Sequence, residues 1–407
     1  MTNQPELDFS DTARRLILSI YLPAFLMSMC QGIALLVIPL YALDLGANAG
    51  ITALVFSLRG LGNVAFDIPA GTLATRLGDK NTMLIGIAIM LAGAGLAGSI
   101  SSPLELALCS FLFGGAMATW LVGRLTFISD SVDAEHRGKA IATMAGLQRL
   151  GAFLGPILTG ILITQGSYLL TFTCMGVLAL ATLMLVLLFV PQSSKQKTGT
   201  HDPILTSLPD TIRQHASIFA TAGIAMFMLT VIRACRQLLV PIWGDSLGLD
   251  PAMIGYIVGA SSAVDMCLFP LAGLILDRFG RKPAALSCLF FLTAGIVVIP
   301  FTDSALTLAL AAMLVGFGNG LGSGINMTLG ADLSPAERRG EFIGVWRVMG
   351  DTGAFSGPMI IGALIETLSL ATSFTFLGFI GLAGMLIMAL LVKETLPRDR
   401  RTAVMSK

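Results

Sequence analysis

The sequence predicts an all-α membrane protein of twelve transmembrane helices, built as two six-helix, pseudo-symmetric bundles. Three observations carry that expectation. Hydrophobic residues make up 55% of the chain and charged residues only 12%, with a mean hydropathy of +0.84, whereas a soluble domain carries about 25% charged residues. The apolar residues fall in runs of about 20, the length that crosses a hydrocarbon core. The two halves of the chain also repeat each other at one constant spacing.

Taken in order, the apolar runs predict helices at 16–43, 51–73, 82–100, 105–129, 140–164 and 169–190. A second set is predicted at 217–243, 251–275, 283–300, 305–330, 341–366 and 371–392. An even number of spans puts both termini on one side. Of the 25 Lys and Arg, 19 lie in the N-terminal tail, alternate loops, the central stretch and the C-terminal tail. They include Arg76 and Lys80, Arg137 and Lys139, Arg278, Arg281 and Lys282, and Arg338 and Arg339, while the opposite loops carry none. The positive-inside rule therefore predicts cytoplasmic termini. A polar break after the sixth helix predicts three regions: an N-terminal bundle at 1–190, a cytoplasmic linker at 191–216, and a C-terminal bundle with a short tail at 217–407.

The repeat is gapless, with 202 residues between Gly71 and Gly273 and the same between later matches. Gly71, Arg76, Gly78 and Lys80 match Gly273, Arg278, Gly280 and Lys282; Asp130, Arg137 and Gly138 match Asp332, Arg339 and Gly340; Gly151, Gly155, Pro156 and Gly160 match Gly353, Gly357, Pro358 and Gly362. A duplicated bundle around a membrane axis is transporter architecture.

Other chemistries find little support. A net charge of +1 offers nothing to nucleic acid. The six cysteines lie within apolar runs without a CxxC pair and read as small hydrophobes; the three histidines stand apart in loops, so neither a metal nor a cofactor is expected. The N-terminus has no cleavable signal pattern. The GxGxxG at Gly93–Gly98 sits inside an apolar helix, and Gly138 and Lys139 lack a Walker A context, which leaves an ion gradient as the driving force.

Away from the helix ends, nine charges remain inside predicted helices: Arg59, Arg124, Arg149, Arg233, Arg236, Arg347, Asp67, Asp265 and Asp351. An ionised side chain at mid-bilayer costs about 2.5 to 3.5 kcal/mol even on lenient scales, so these should face an internal cavity. Static pairing is the competing expectation. Arg347 and Asp351 lie four apart on one helix face, Arg124 lies near Asp130, and Arg233 and Arg236 can snorkel. The excess of arginine favours a substrate bearing a carboxylate, phosphate or sulfonate. The first helix contains no acid and offers Gln31, Ser28 and Cys30.

The glycine and basic element at Gly71–Lys80, and its second copy Gly273, Asp277, Arg278, Gly280, Arg281 and Lys282, resemble the signature of the major facilitator superfamily. The resemblance covers nearly the whole chain; the first copy carries Thr75 where the second has Asp277. In the fifth helix, Gly151, Gly155, Pro156, Thr159 and Gly160 resemble the antiporter motif of the superfamily's twelve-helix drug:proton exporters, whereas the family's fourth-helix arginine is replaced by Ser110. The resemblance implies a mid-membrane cavity between two bundles, alternating access, and Asp277 facing the start of the fifth helix. It implies a monomer in the lipid bilayer of the plasma membrane that moves a small molecule, with protons as the coupling ion.

The expected function is proton-coupled efflux of an anionic or amphiphilic small organic molecule. Asp67, Asp265 and Asp351 are the proton-carrier candidates, since arginine has no accessible neutral form. Gln31 and the six embedded arginines are the cavity candidates. Organic-anion symport, movement of a lysolipid-like amphiphile and a non-transporting receptor or scaffold are the alternatives. In the family the second helix packs beside the eleventh and the fifth beside the eighth. Depth then allows two ion pairs across the seam, Asp67 with Arg347 and Arg149 with Asp265.

Overall fold

The computed structural model describes residues 16–131, 134–165, 167–192, 204–335 and 338–396. The N-terminal half holds α1 (Leu22–Asp44, entered through a π-helical turn at Ile17–Tyr21), α2 (Ala49–Leu77), α3 (Asp79–Leu96), α4 (Pro103–Ser131), α5 (Ala134–Gln165) and α6 (Tyr168–Phe189). The C-terminal half holds α7 (Ile224–Ser246), α8 (Pro251–Arg278), α9 (Arg281–Val298), α10 (Ala305–Leu321, continued by Ile325–Leu333), α11 (Arg339–Thr367) and α12 (Leu370–Leu390). Among the described residues eleven spans are long and apolar enough to cross a membrane. The twelfth helix, α3, has the same length class but opens on Asp79, Lys80 and Asn81. The predicted runs underestimate α2, α4, α5, α8 and α11, which continue beyond their apolar windows into polar sequence.

The chain between the halves contains a helix at Ile204–Gln214 that hydropathy does not reveal. It packs on α11, where Thr211 bonds the carboxylate of Glu341 and Arg338 donates to the Thr211 hydroxyl at 3.4 Å.

The 202-residue repeat reappears in the devices that end each helix. Asn48 caps α2 by accepting from the Ile51 amide, and Asp250 caps α8 from Met253; Ser167 and Ser369 do the same for α6 and α12. Lys80 Nζ donates to the Leu187 carbonyl at 2.9 Å, and Lys282 Nζ to that of Ala389 at 2.6 Å, each a cation on the last turn of a helix. Tyr41 bonds Ile100 where Trp243 bonds Thr302. Gly78 (φ 83°) and Gly280 (φ 108°) turn α2 into α3 and α8 into α9 through left-handed backbone that a side chain would strain.

The halves meet along α2 with α11, α5 with α8, and α1 with α7. Call the face with the α2–α3 and α8–α9 hairpins the basic face; the loops of the other face contain no Lys or Arg. Toward that other face the packing reaches backbone contact. A Cβ at Gly160 would lie 2.5 Å from the Pro251 carbonyl oxygen, and one at Gly255 would lie 2.6 Å from that of Pro156. Gly362 meets Gly50 across α2 and α11, and Leu36, Leu40 and Ile254 form a buried plug. Toward the basic face the same four helices part. Gly71, Gly146, Gly273 and Gly344 have open space where a Cβ would stand.

Candidate functional site

Two adjoining cavities lie between the halves, partway along the spanning helices, and share Gln31 of α1 and Gln148 of α5 in their walls. The first, about 330 Å³, is bounded by α1, α5, α7, α8 and α10 and contains Arg149, Arg236 and Asp265. The second, about 240 Å³, lies mainly between α2, α4 and α11 and contains Arg124, Arg347, Asp67 and Asp351.

In the first cavity Asp265 Oδ2 accepts from Asn319 at 2.5 Å and faces Arg236 Nη2 at 3.6 Å, while its Oδ1 is buried without a partner. The expected pair between Arg149 and Asp265 is not made. Arg149 lies with its guanidinium carbon 4.1 Å from the Phe269 ring centroid and donates to Ser323 at 2.8 Å. Phe269 stands four residues beyond Asp265 on α8, and its ring takes the face of the guanidinium. Asp265 is thereby left to α7 and α10 of its own half.

In the second cavity Arg347 of α11 reaches across the seam to Asp67 of α2, 3.8 Å away. Its partner is therefore not Asp351, four residues along its own helix. Asp351 lines the same cavity as Asp67 and Arg347, so two carboxyls and one guanidinium gather between α2 and α11. Arg124 is 2% exposed, with its guanidinium carbon 5.9 Å from the Trp120 ring centroid. With the Gln148 amide oxygen turned toward α4, Arg124 donates to it twice, at 3.1 and 3.2 Å. Ser28 ties the same residue down by donating to the Gln148 main-chain carbonyl at 2.5 Å.

Two expected cavity arginines lie elsewhere. Arg59 lies 5.2 Å from the Phe56 ring centroid and lines neither cavity. Arg233 donates to the Gly322 carbonyl at 2.9 Å and reaches Cys288 Sγ at 3.5 Å; it caps the broken end of α10. Cys267, read as a buried small hydrophobe, is exposed. Sequence reasoning missed Asn63, Gln148, Gln237 and Asn319, all lining residues. The rule that singled out Gln31, a polar amide inside an apolar helix, would have found them.

The model of the Major Facilitator Superfamily matches residues 20–233 and 216–406. The chain belongs to the major facilitator superfamily. It is a multi-pass membrane transporter of small molecules and not an enzyme. Among curated relatives, the multidrug resistance protein MdtL of Klebsiella pneumoniae is 22% identical over 81% of this chain and 86% of its own. The quinolone resistance protein NorA of Staphylococcus aureus is 22% identical over 91% of this chain and 95% of its own. Among solved structures, the D-xylose-proton symporter superposes with a TM-score of 0.72 at 17% identity, covering 93% of this chain and 98% of its own. A mutant of the nucleoside transporter NupG superposes at 0.73 with 15% identity, covering 93% of this chain and 100% of its own. These likenesses speak for the fold.

The superfamily motifs occupy distinct places. Gly151 and Gly155 press α5 onto α1, a Cβ at Gly155 falling 2.7 Å from the Gly32 Cα, whereas Pro156 and Gly160 meet α8 across the seam. Asp277 does not dock on α5. Its side chain is 83% exposed and lies 3.9 Å from Arg281 of its own hairpin, because the helix ends have parted at this face. Arg281 binds Asp332 at 2.7 Å, and the Arg281 and Lys282 amides donate to Glu394. Arg278 sits 5.9 Å from the Phe279 ring centroid. The side chains of Asp130 and Arg137 lie outside the described residues.

Proposed function

We propose that the protein exports a small anionic or amphiphilic organic molecule across the plasma membrane in exchange for protons, acting as a monomer with both termini in the cytoplasm. The observation that carries this reading is the division of charge between the two cavities. The first sets Arg149 and Arg236 against Asp265 alone and so favours an acid group. The second sets Arg124 and Arg347 against Asp67 and Asp351, a balanced set whose two carboxyls are the groups able to exchange a proton. Asp67 and Asp351 are then the first proton carriers and Asp265 the third candidate.

The asymmetry of basic loops supports a cytoplasmic basic face. With that face open and the other closed, the conformation is inward-facing, the one in which an exporter loads. The regions 1–190 and 217–407 rock about the cavity, joined by 191–216. The antiporter-like glycines of α5 and the drug resistance for which both curated relatives are named support export. The test is purified protein in proteoliposomes holding labelled organic anions, with a pH gradient of either sign. Anion movement opposite to the proton flow is expected. Movement in the same direction would assign symport, and no response to either gradient would overturn proton coupling.

A further inference from the structure

We propose that the first cavity is a site for one hydroxylated monocarboxylate, and that Asp265 sets the charge its substrate must carry; this rests on the reading of that cavity as the anion site. The lining charges are Arg149 and Arg236 against Asp265, a surplus of one positive charge, whereas the second cavity balances two arginines with two aspartates. Arg233, a further arginine of α7, faces the carbonyl end of α10, whose helix dipole opposes its charge. For side chains as little exposed as Arg236 and Asp265 an unbalanced charge is costly, and one monoanion removes the imbalance. A dianion restores it with the opposite sign.

The geometry is prepared for that occupant. Arg236 and Arg149 approach the space from α7 and α5, each with a buried Nε that has no partner, and Asp265 Oδ1 also lacks one. Arg149 is held flat by Phe269 and Ser323, so its orientation is set before anything binds. Around these groups the wall offers Gln31, Gln237, Ser262 and Asn319, and among the described residues no aromatic ring lines it. These amides and hydroxyls share the wall with the aliphatic Leu35, Val240, Val258 and Val315, a mixture that suits hydroxyl or carbonyl groups on a short aliphatic frame rather than an aromatic ring. At about 330 Å³ the space sits at the small end of the roughly 300–1,000 Å³ range of ligand pockets.

The experiment is calorimetric titration of the purified full chain with two matched series: sorbitol, gluconate and glucarate, and benzyl alcohol, benzoate and phthalate. The monoanion should bind best in each series, and gluconate more tightly than benzoate. In D265N, and in D265S as a second neutral variant, the dianion-to-monoanion affinity ratio should rise by about tenfold or more, because one like charge has left the site. D265E, which keeps the charge, should retain the wild-type ratio, and R236Q should weaken every anion. Thermal melts select the variants that fold. If no monoanion binds the wild type, the anion-site reading falls with this one. If monoanions bind but the neutral variants leave the ratio unchanged, the charge rule alone falls. Tighter binding of benzoate than gluconate would overturn the hydroxylated class.

Discussion

At the residue scale, the placement of the charges follows from what each side chain can reach rather than from its depth alone. Arg347 and Asp351 share a helix face, yet Arg347 points across the seam to Asp67, and Asp351 lines the same cavity as that carboxyl. Arg149 and Asp265 lie at matched depths, yet Arg149 engages Phe269 and Ser323 instead. The Asp67–Arg347 contact joins two helices that must part when the halves rock, so its polarity is testable by exchange. Asp67→Arg should reduce transport by an order of magnitude or more, and Asp67→Arg with Arg347→Asp should recover part of it, read as initial rates in proteoliposomes. No recovery would remove the pair from the transport cycle. Asp67, Arg347 and Asp351 were legible in the sequence as polar groups in apolar helices, whereas Gln148 and Asn319 carry no charge and were overlooked.

At the element scale, the membrane-spanning helices were readable because lipid demands long apolar runs, and their ends were not. α2, α4, α5, α8 and α11 run on into polar sequence where a hydropathy window loses contrast. The helix at Ile204–Gln214 lay inside a stretch read only as linker, since an amphipathic surface helix has little net hydropathy. Its anchor is the Thr211 bond to Glu341 and Arg338, which ties the linker to the start of α11. Thr211→Val removes that hydroxyl while keeping the volume. It should cost about 1–3 kcal/mol and speed limited proteolysis of the linker several-fold without lowering folded helix content. Unchanged cleavage kinetics would show that the helix is held by other contacts.

At the scale of the whole molecule, the contrast between a closed face and an open one is a property of the seam. Glycines bring α5 onto α8 and α2 onto α11 at one face, and the same helices diverge at the other. The sequence assigns sides to these faces through basic residues alone. In a cysteine-free variant, a cysteine introduced at Asn48 or Asp303 should react with an impermeant maleimide from outside the cell, and one at Lys195 only after permeabilisation. External labelling at position 195 would reverse the topology and, with it, the inward-facing reading.

The sequence by itself determined that the chain is a duplicated, lipid-solvated bundle of the major facilitator kind, because a bilayer imposes length, hydropathy and charge asymmetry residue by residue, and a gapless 202-residue offset survives without knowledge of any contact. It also determined which charged groups lie within the membrane-spanning helices. Only the tertiary structure decided which of them share a cavity. That Arg233 caps α10, that Arg59 lines neither cavity, and that Asp265 belongs to Arg236 all depend on how each helix is rotated about its axis and where it bends. One residue turns a helix by about 100°, so small differences in packing carry a side chain from cavity to interface. Those rotations are set by close packing between helices distant in sequence, which no local pattern records.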